Sequence, residues 1–128
     1  EIAAEKFFKG LFETALKDGE IVTAVTFTAP AKAGYEKFRN PASRYAMVGV
    51  FVSKGKGVTV AVTGAGDDGV FRSKELEAAL SKNFDASALE GVSVPSSALM
   101  SDMHASAEYR AHLITVMAKR AVTQANAG

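Results

Sequence analysis

YAMVGVFVSKGKGVTVAVTGA, residues 45 to 65, decides how this chain folds. Its first nine residues are apolar on both faces, the pattern of a strand buried in the middle of a sheet. Lys54 to Gly57 (KGKG) is rich in glycine and charge and reads as a hairpin turn. Val58 to Ala65 then alternates as a second strand. Upstream, the short run GYEKF (34–38) adds a strand to the same meander, and Gly64 to Gly69 (GAGDDG) reads as an acidic, glycine-rich loop that closes the sheet. From Ser73 the period changes. In SKELEAALSKNF, Ser73 is placed to cap a helix whose Leu76, Ala79 and Leu80 share a face, and Glu75 and Glu77 sit where the helix dipole favours anions. SAEYRAHLITVMAKRAVTQA (106–125) is a second helix, with Tyr109, Leu113, Val116, Met117 and Ala121 as its expected buried stripe. Strands followed by helices predict an α+β domain: a small antiparallel sheet of three to four strands, covered on one face by about three helices.

The third helix comes from the start of the chain. In AAEKFFKGLFETAL, residues Phe7, Phe8, Leu11, Phe12, Ala15 and Leu16 recur at helical spacing, weakened by Gly10. Asp18-Gly19 marks a turn. EIVTAVTFTAP (20–30) then alternates cleanly: Ile21, Thr23, Val25 and Phe27 share one face, and Pro30 ends the run, so a strand is expected here.

With 128 residues, the chain can enclose one sizeable core. Fifteen basic and 14 acidic residues leave a net charge of +1, which gives no electrostatic case for nucleic acid. There is no cysteine, so disulfides, thiolate nucleophiles, zinc–thiolate sites and cysteine-held iron–sulfur clusters are excluded from this chain. A reducing, cytoplasmic location is compatible with that. The longest apolar stretch, Ala46 to Val52, is far short of a membrane span. No signal-peptide pattern opens the chain, and a first residue of Glu1 fits a fragment or a processed product.

The motifs that tempt are weak on physical grounds. GAGDDG fits G-x-G-x-x-G after a strand, but Asp67 and Asp68 would repel a pyrophosphate, and a meander is not a βαβ unit. Asp102, His104 and His112 lack the spacing of ligands on one helix face. No nucleophile elbow accompanies the serines. What remains is the basic segment KFRNPASRY. Lys37, Arg39, Arg44 and Tyr45 surround Pro41 directly before the buried strand. Two readings stay open for it: a solvated turn, or a contact with an anionic or aromatic ligand, for which guanidinium donors and a phenol ring are suited.

Four segments in order, FFKGLFETALKDGEIVTAVTFTAP, GYEKFRNPASRYAMVGVFV, GVFRSKELEAAL and HASAEYRAHLITVMAKRAV, resemble the C-terminal part of the FAD-binding medium subunit of molybdenum hydroxylases. This is the flavoprotein subunit family of carbon monoxide dehydrogenase and xanthine dehydrogenase. The resemblance covers nearly the whole chain. It implies that residues 1–30 are the tail end of an FAD-binding domain, a helix and its last strand, and that residues 31–128 are the flavoprotein C-terminal domain. It implies an N-terminal FAD domain holding the pyrophosphate elsewhere, so that this chain alone should not hold FAD tightly. The molybdenum cofactor and the 2Fe–2S clusters would then belong to partner subunits, a molybdenum-binding large subunit and an iron–sulfur small subunit. Tyr45 would stack near the flavin ring. Lys37, Arg39 and Arg44 would bring positive charge to it, with Arg44 facing either the flavin or a neighbouring subunit. Tyr109 and Arg110 match the family's closing signature, Tyr109 on the core stripe and Arg110 as an anchor for a loop or an interface. The alternative is a stand-alone, non-catalytic interaction or dimerisation module with the same fold.

Overall fold

A computed structural model describes residues 1–10 and 12–128. Two short strands open the chain, β1 (Phe8–Gly10) and β2 (Glu13–Thr14), paired with each other. The main sheet is the predicted antiparallel meander: β3 (Lys32–Arg39), β4 (Ala46–Lys54), β5 (Val58–Gly66) and β6 (Gly69–Arg72), in that spatial order. Helix α1 (Lys74–Lys82), a 3-10 turn at Ala86–Leu89 and the long helix α2 (Ala107–Ala127) follow. They give the α+β architecture that the sequence predicts.

The register explains which face is buried. Across the β3–β4–β5 ladders, Gly34 stands opposite Val52, and Val52 opposite Val60. Phe38 stands opposite Val48, and Val50 opposite Val62. Directly opposed residues share a face, so this row of valines meets the helices, and all five are fully buried. Helix α2 crosses β3 and β4 closely. A Cβ on Gly34 would run into the carbonyl oxygen of Ala121, and the facing positions of α2 include the small residues Ala118, Ala121 and Ala125. Helix α1 adds Leu76 and Leu80 to the same core. Truncating a side chain such as Leu80 or Met117 to alanine costs roughly 2–5 kcal/mol in a core of this kind.

Three expectations are corrected. The helix anticipated near the start is a 3-10 turn at Ala4–Lys6 followed by the β1–β2 hairpin, and Phe12 is fully exposed at a positive φ of 57°. (Leu11, part of that expected stripe, lies outside the described residues.) Gly10 is a poor helix former, and the phenylalanine stripe has no surface to pack on; a helix that short is marginal without one. Residues 20–30 form no strand and pair with none among the described residues. Their alternation defines two faces, yet a strand also requires a neighbour for its backbone groups. Finally, the buried stripe of α2 keeps Leu113, Met117 and Ala121 as expected but also takes in Arg110 and Ile114, while Tyr109 is half-exposed.

Strand β6 is an addition. The sequence predicts only an acidic loop before Gly69–Arg72. An Asp-Gly turn between two β-prone runs is a hairpin signal that could have found it.

Candidate functional site

The β3–β4 connection, residues 40–45, gathers the basic segment into one turn. Asn40 organises it. Its side-chain Oδ1 accepts the backbone N–H groups of Ala42 (2.9 Å) and Ser43 (3.2 Å), an Asx turn of the kind an Asn-Pro pair favours. The Asn40 carbonyl accepts Arg44 N–H, and the Asn40 N–H donates to the Tyr45 carbonyl at 2.8 Å. Arg44 closes the turn in the left-handed region, φ 61°. Lys37 Nζ donates to the Arg44 carbonyl at 3.2 Å, and Tyr45 N–H to Ser43 Oγ at 3.3 Å.

Lys37, Arg44 and Tyr45 thus come together, and Arg39 flanks them at the end of β3, opposite Ala46. Among the described residues, none of the three cations forms an ion pair with a carboxylate. The Tyr45 ring is 80% exposed. An exposed tyrosine in the same segment as these arginines offers a stacking face and anion-directed donors.

Tyr45 also borders a depression of about 250 Å³ whose floor includes Met47, Asp102, His104 and Arg110. A wider groove of about 470 Å³ lies between residues 91–96 and α2, rimmed by His112 and Lys119. It contains none of the candidate residues, and Lys119 is already paired with Glu90 at 2.7 Å. Of the two, only the smaller depression is bordered by a candidate residue, Tyr45.

Arg110 is the residue whose importance the sequence understated. It is 2% exposed in the first turn of α2. Its Nη1 donates to the carbonyls of Met47 (2.6 Å) and Gly64 (3.0 Å), and its Nη2 to Asp102 Oδ2 (2.8 Å). Asp102 also accepts the N–H groups of His104 and Ala105. Those two N–H groups, against a small desolvation penalty and with the Arg110 guanidinium adding to them, hold the Asp102 carboxyl below the usual carboxylate range. Tyr109 has its ring edge-on to Phe38, with centroids 6.4 Å apart.

The remaining motifs take plain structural roles. Gly64 to Gly69 ends β5 and turns into β6, with Gly64 and Gly69 at positive φ and both aspartates exposed. The Asp67 N–H already donates to the Ala98 carbonyl at 3.1 Å, so it is not free for a phosphate. His104 and His112 are exposed, and Asp102 is engaged by Arg110. Among the described residues, no helix is long and apolar enough to cross a membrane.

Comparison with known proteins supplies the wider setting. Residues 33–125 match the family model of the CO dehydrogenase flavoprotein C-terminal domain. The chain is 28% identical over 138 residues to the carbon monoxide dehydrogenase medium chain of Afipia carboxidovorans, covering 98% of this chain and 48% of that protein. Among solved structures it is similar to reconstituted CO dehydrogenase from Oligotropha carboxidovorans, with a TM-score of 0.76 at 25% identity over 98% of this chain and 48% of that one. It also shares the fold of quinoline 2-oxidoreductase from Pseudomonas putida 86, with a TM-score of 0.74 at 22% identity over 99% of this chain and 48% of that one. The chain therefore spans about half the length of the relatives it matches.

Proposed function

The chain belongs to the CO dehydrogenase flavoprotein C-terminal domain family, and on that premise we propose that it covers the flavin ring in the medium subunit of a molybdenum-dependent hydroxylase or dehydrogenase. In this role it also helps dock the partner subunits. The observation that carries the reading is the turn at 40–45: an exposed Tyr45 ring next to Arg39, Arg44 and Lys37, with no carboxylate neutralising them among the described residues.

These residues fit a flavin ring. Tyr45 supplies a flat face for stacking. The cations supply positive charge where a reduced, anionic ring needs it, which raises the reduction potential. FAD, when bound, supplies one- and two-electron transfer between an iron–sulfur donor and a final acceptor. No glycine-rich cradle with free N–H groups is formed by Gly64 to Gly69, so the pyrophosphate is assigned to the half of the relatives' length that this chain does not span. The molybdenum cofactor and 2Fe–2S clusters are assigned to the large and small partner subunits, in keeping with a chain free of cysteine. Residues 1–30 are read as the tail of the FAD-binding domain, and residues 31–128 as the C-terminal domain. The alternating, exposed run at 20–30, unpaired among the described residues, supports that division, since it has the pattern of a strand whose sheet lies in another part of the protein.

The test is spectroscopic. In the flavin-loaded holoprotein, Tyr45→Ala is expected to change the visible flavin spectrum or the reduction potential. An unchanged spectrum together with an unchanged potential would remove Tyr45 from the flavin. The 128-residue chain alone, titrated with FAD, is expected to form no tight complex; a stoichiometric one would overturn the assignment of the pyrophosphate site.

A further inference from the structure

The β3–β4 ladder slips by one residue just after the turn. Phe38 pairs with Val48 and Arg39 with Ala46, so Met47 is left as the extra residue of a bulge. Bulges re-aim the side chains next to them, and here the next residues are Ala46 and Tyr45. On the other side of β4, the β4–β5 register ends at Gly49 and Thr63. Gly64, still within β5, then takes a φ of 77°, and a Cβ there would strike the Ala46 carbonyl oxygen. The carbonyls of Met47 and Gly64 are thus at the place where the ladder opens. Arg110 bridges them with one nitrogen, while Asp102 holds the other. The guanidinium stands in for missing ladder hydrogen bonds, and it does so although its own buried Nε finds no acceptor among the described residues.

We propose that Arg110 is a positioning residue for the Tyr45 turn: by fixing the Met47 bulge against Gly64, it sets the direction in which Tyr45 and Arg44 are presented. This rests on the reading of Tyr45 as the flavin-facing ring. The chain of contact is short. Arg110 fixes the Met47 carbonyl, Met47 fixes Ala46 against Gly64, and Tyr45 is the next residue. Asn40 holds the turn from the other end, so the Tyr45 backbone is fixed at both sides only while the clasp is closed. Lysine cannot replace the arginine here. It keeps the charge but lacks the rigid planar fork that reaches two carbonyls and a carboxylate at once.

The experiment has two parts. Amide hydrogen exchange on the full chain carrying Arg110→Lys is expected to show lost protection at Asn40 and Arg44, whose N–H groups close the turn, while Val50 and Val62 in the sheet keep theirs. Protection that is unchanged at Asn40 and Arg44, or lost equally at Val50 and Val62, overturns the positioning role in favour of none or of a purely structural one. Should Arg110→Lys not fold, Asp102→Asn leaves the arginine in place without its counter-charge, and the same amides are read the same way. In the flavin-loaded holoprotein, Arg110→Lys is expected to move the flavin spectrum in the same direction as Tyr45→Ala. If Tyr45→Ala moves it and Arg110→Lys does not, the positioning role is overturned. If Tyr45→Ala itself has no effect, the flavin reading fails and the proposal falls with its premise, even where the exchange result stands.

Discussion

Two stretches of this chain are almost the same sequence in physical terms and end in opposite environments. EIVTAVTFTAP (20–30) and VTVAVTGA (58–65) both alternate β-branched and small residues. In the second, Val60 and Val62 are 0% exposed, and the strand that carries them lies between β4 and β6. In the first, Ile21, Val25 and Phe27 are 78–80% exposed and have no ladder partner among the described residues. Alternation says which side chains share a face. It does not provide the neighbouring strand or the covering layer, and most of a strand's stability comes from those two sources.

The largest test of that difference is one substitution made twice. Val60→Ser removes buried apolar volume and places a hydroxyl in the core, which should cost about 2–4 kcal/mol in urea unfolding. Val25→Ser in the same chain should leave the unfolding midpoint within about 0.5 kcal/mol of wild type, as surface changes do. Comparable losses from both would mean that residues 20–30 belong to the cooperative unit, and the contrast would be broken.

A smaller effect separates the two regions through pH. Asp102 is held below its ordinary value by the N–H groups of His104 and Ala105 and by Arg110. A depressed carboxylate stabilises the fold fully above its unfolded value, about 3.9, and that contribution is lost as pH falls through the lower folded value. Acid unfolding should therefore include a step below about pH 4 that Asp102→Asn flattens. In the N-terminal stretch, Glu20 accepts Lys17 N–H in an exposed turn and forms no ion pair among the described residues. If Asp102→Asn leaves the acid limb unchanged, the Arg110 clasp does not contribute to stability in acid.

How far the sequence could be read follows the same division. The meander was legible because Val48, Val50 and Val52 form an apolar run between clear turns, and Ser106 marks the start of α2 with its side chain accepting Tyr109 N–H. The face of α2 is legible at Leu113, Met117 and Ala121 but not at Arg110, because a charged residue is ordinarily placed outside. Arg110 is inside, since three acceptors from β4, β5 and the 100–105 loop converge on it, and no local pattern announces acceptors that lie 46 and 63 residues away. The cations of the 40–45 turn were legible as a group. The Asx geometry that holds them was hinted at only by Asn40-Pro41. The N-terminal helix failed because a periodic stripe of phenylalanines implies a surface to pack on, which these residues do not have.

The finest contrast is between two backbones in the same strained state. Phe12 and Arg44 are the two described non-glycine residues at positive φ, 57° and 61°. Each holds an L-residue where glycine is favoured by up to about 1 kcal/mol. Arg44 closes a turn tied into β3 and β4 by the Asn40 hydrogen bonds, so its strain is carried by the cooperative sheet. Arg44→Gly should therefore raise the global unfolding midpoint by an amount corresponding to at most about 1 kcal/mol. Phe12 lies in a hairpin of a few residues on exposed chain, which opens without disturbing the core. Phe12→Gly should relieve the same strain and yet leave the global transition in place. If both raise the midpoint, the β1–β2 hairpin unfolds with the sheet and the two regions are one unit. If neither does, the turn at 40–45 opens locally before the sheet melts, and Tyr45 is ordered only by what it faces.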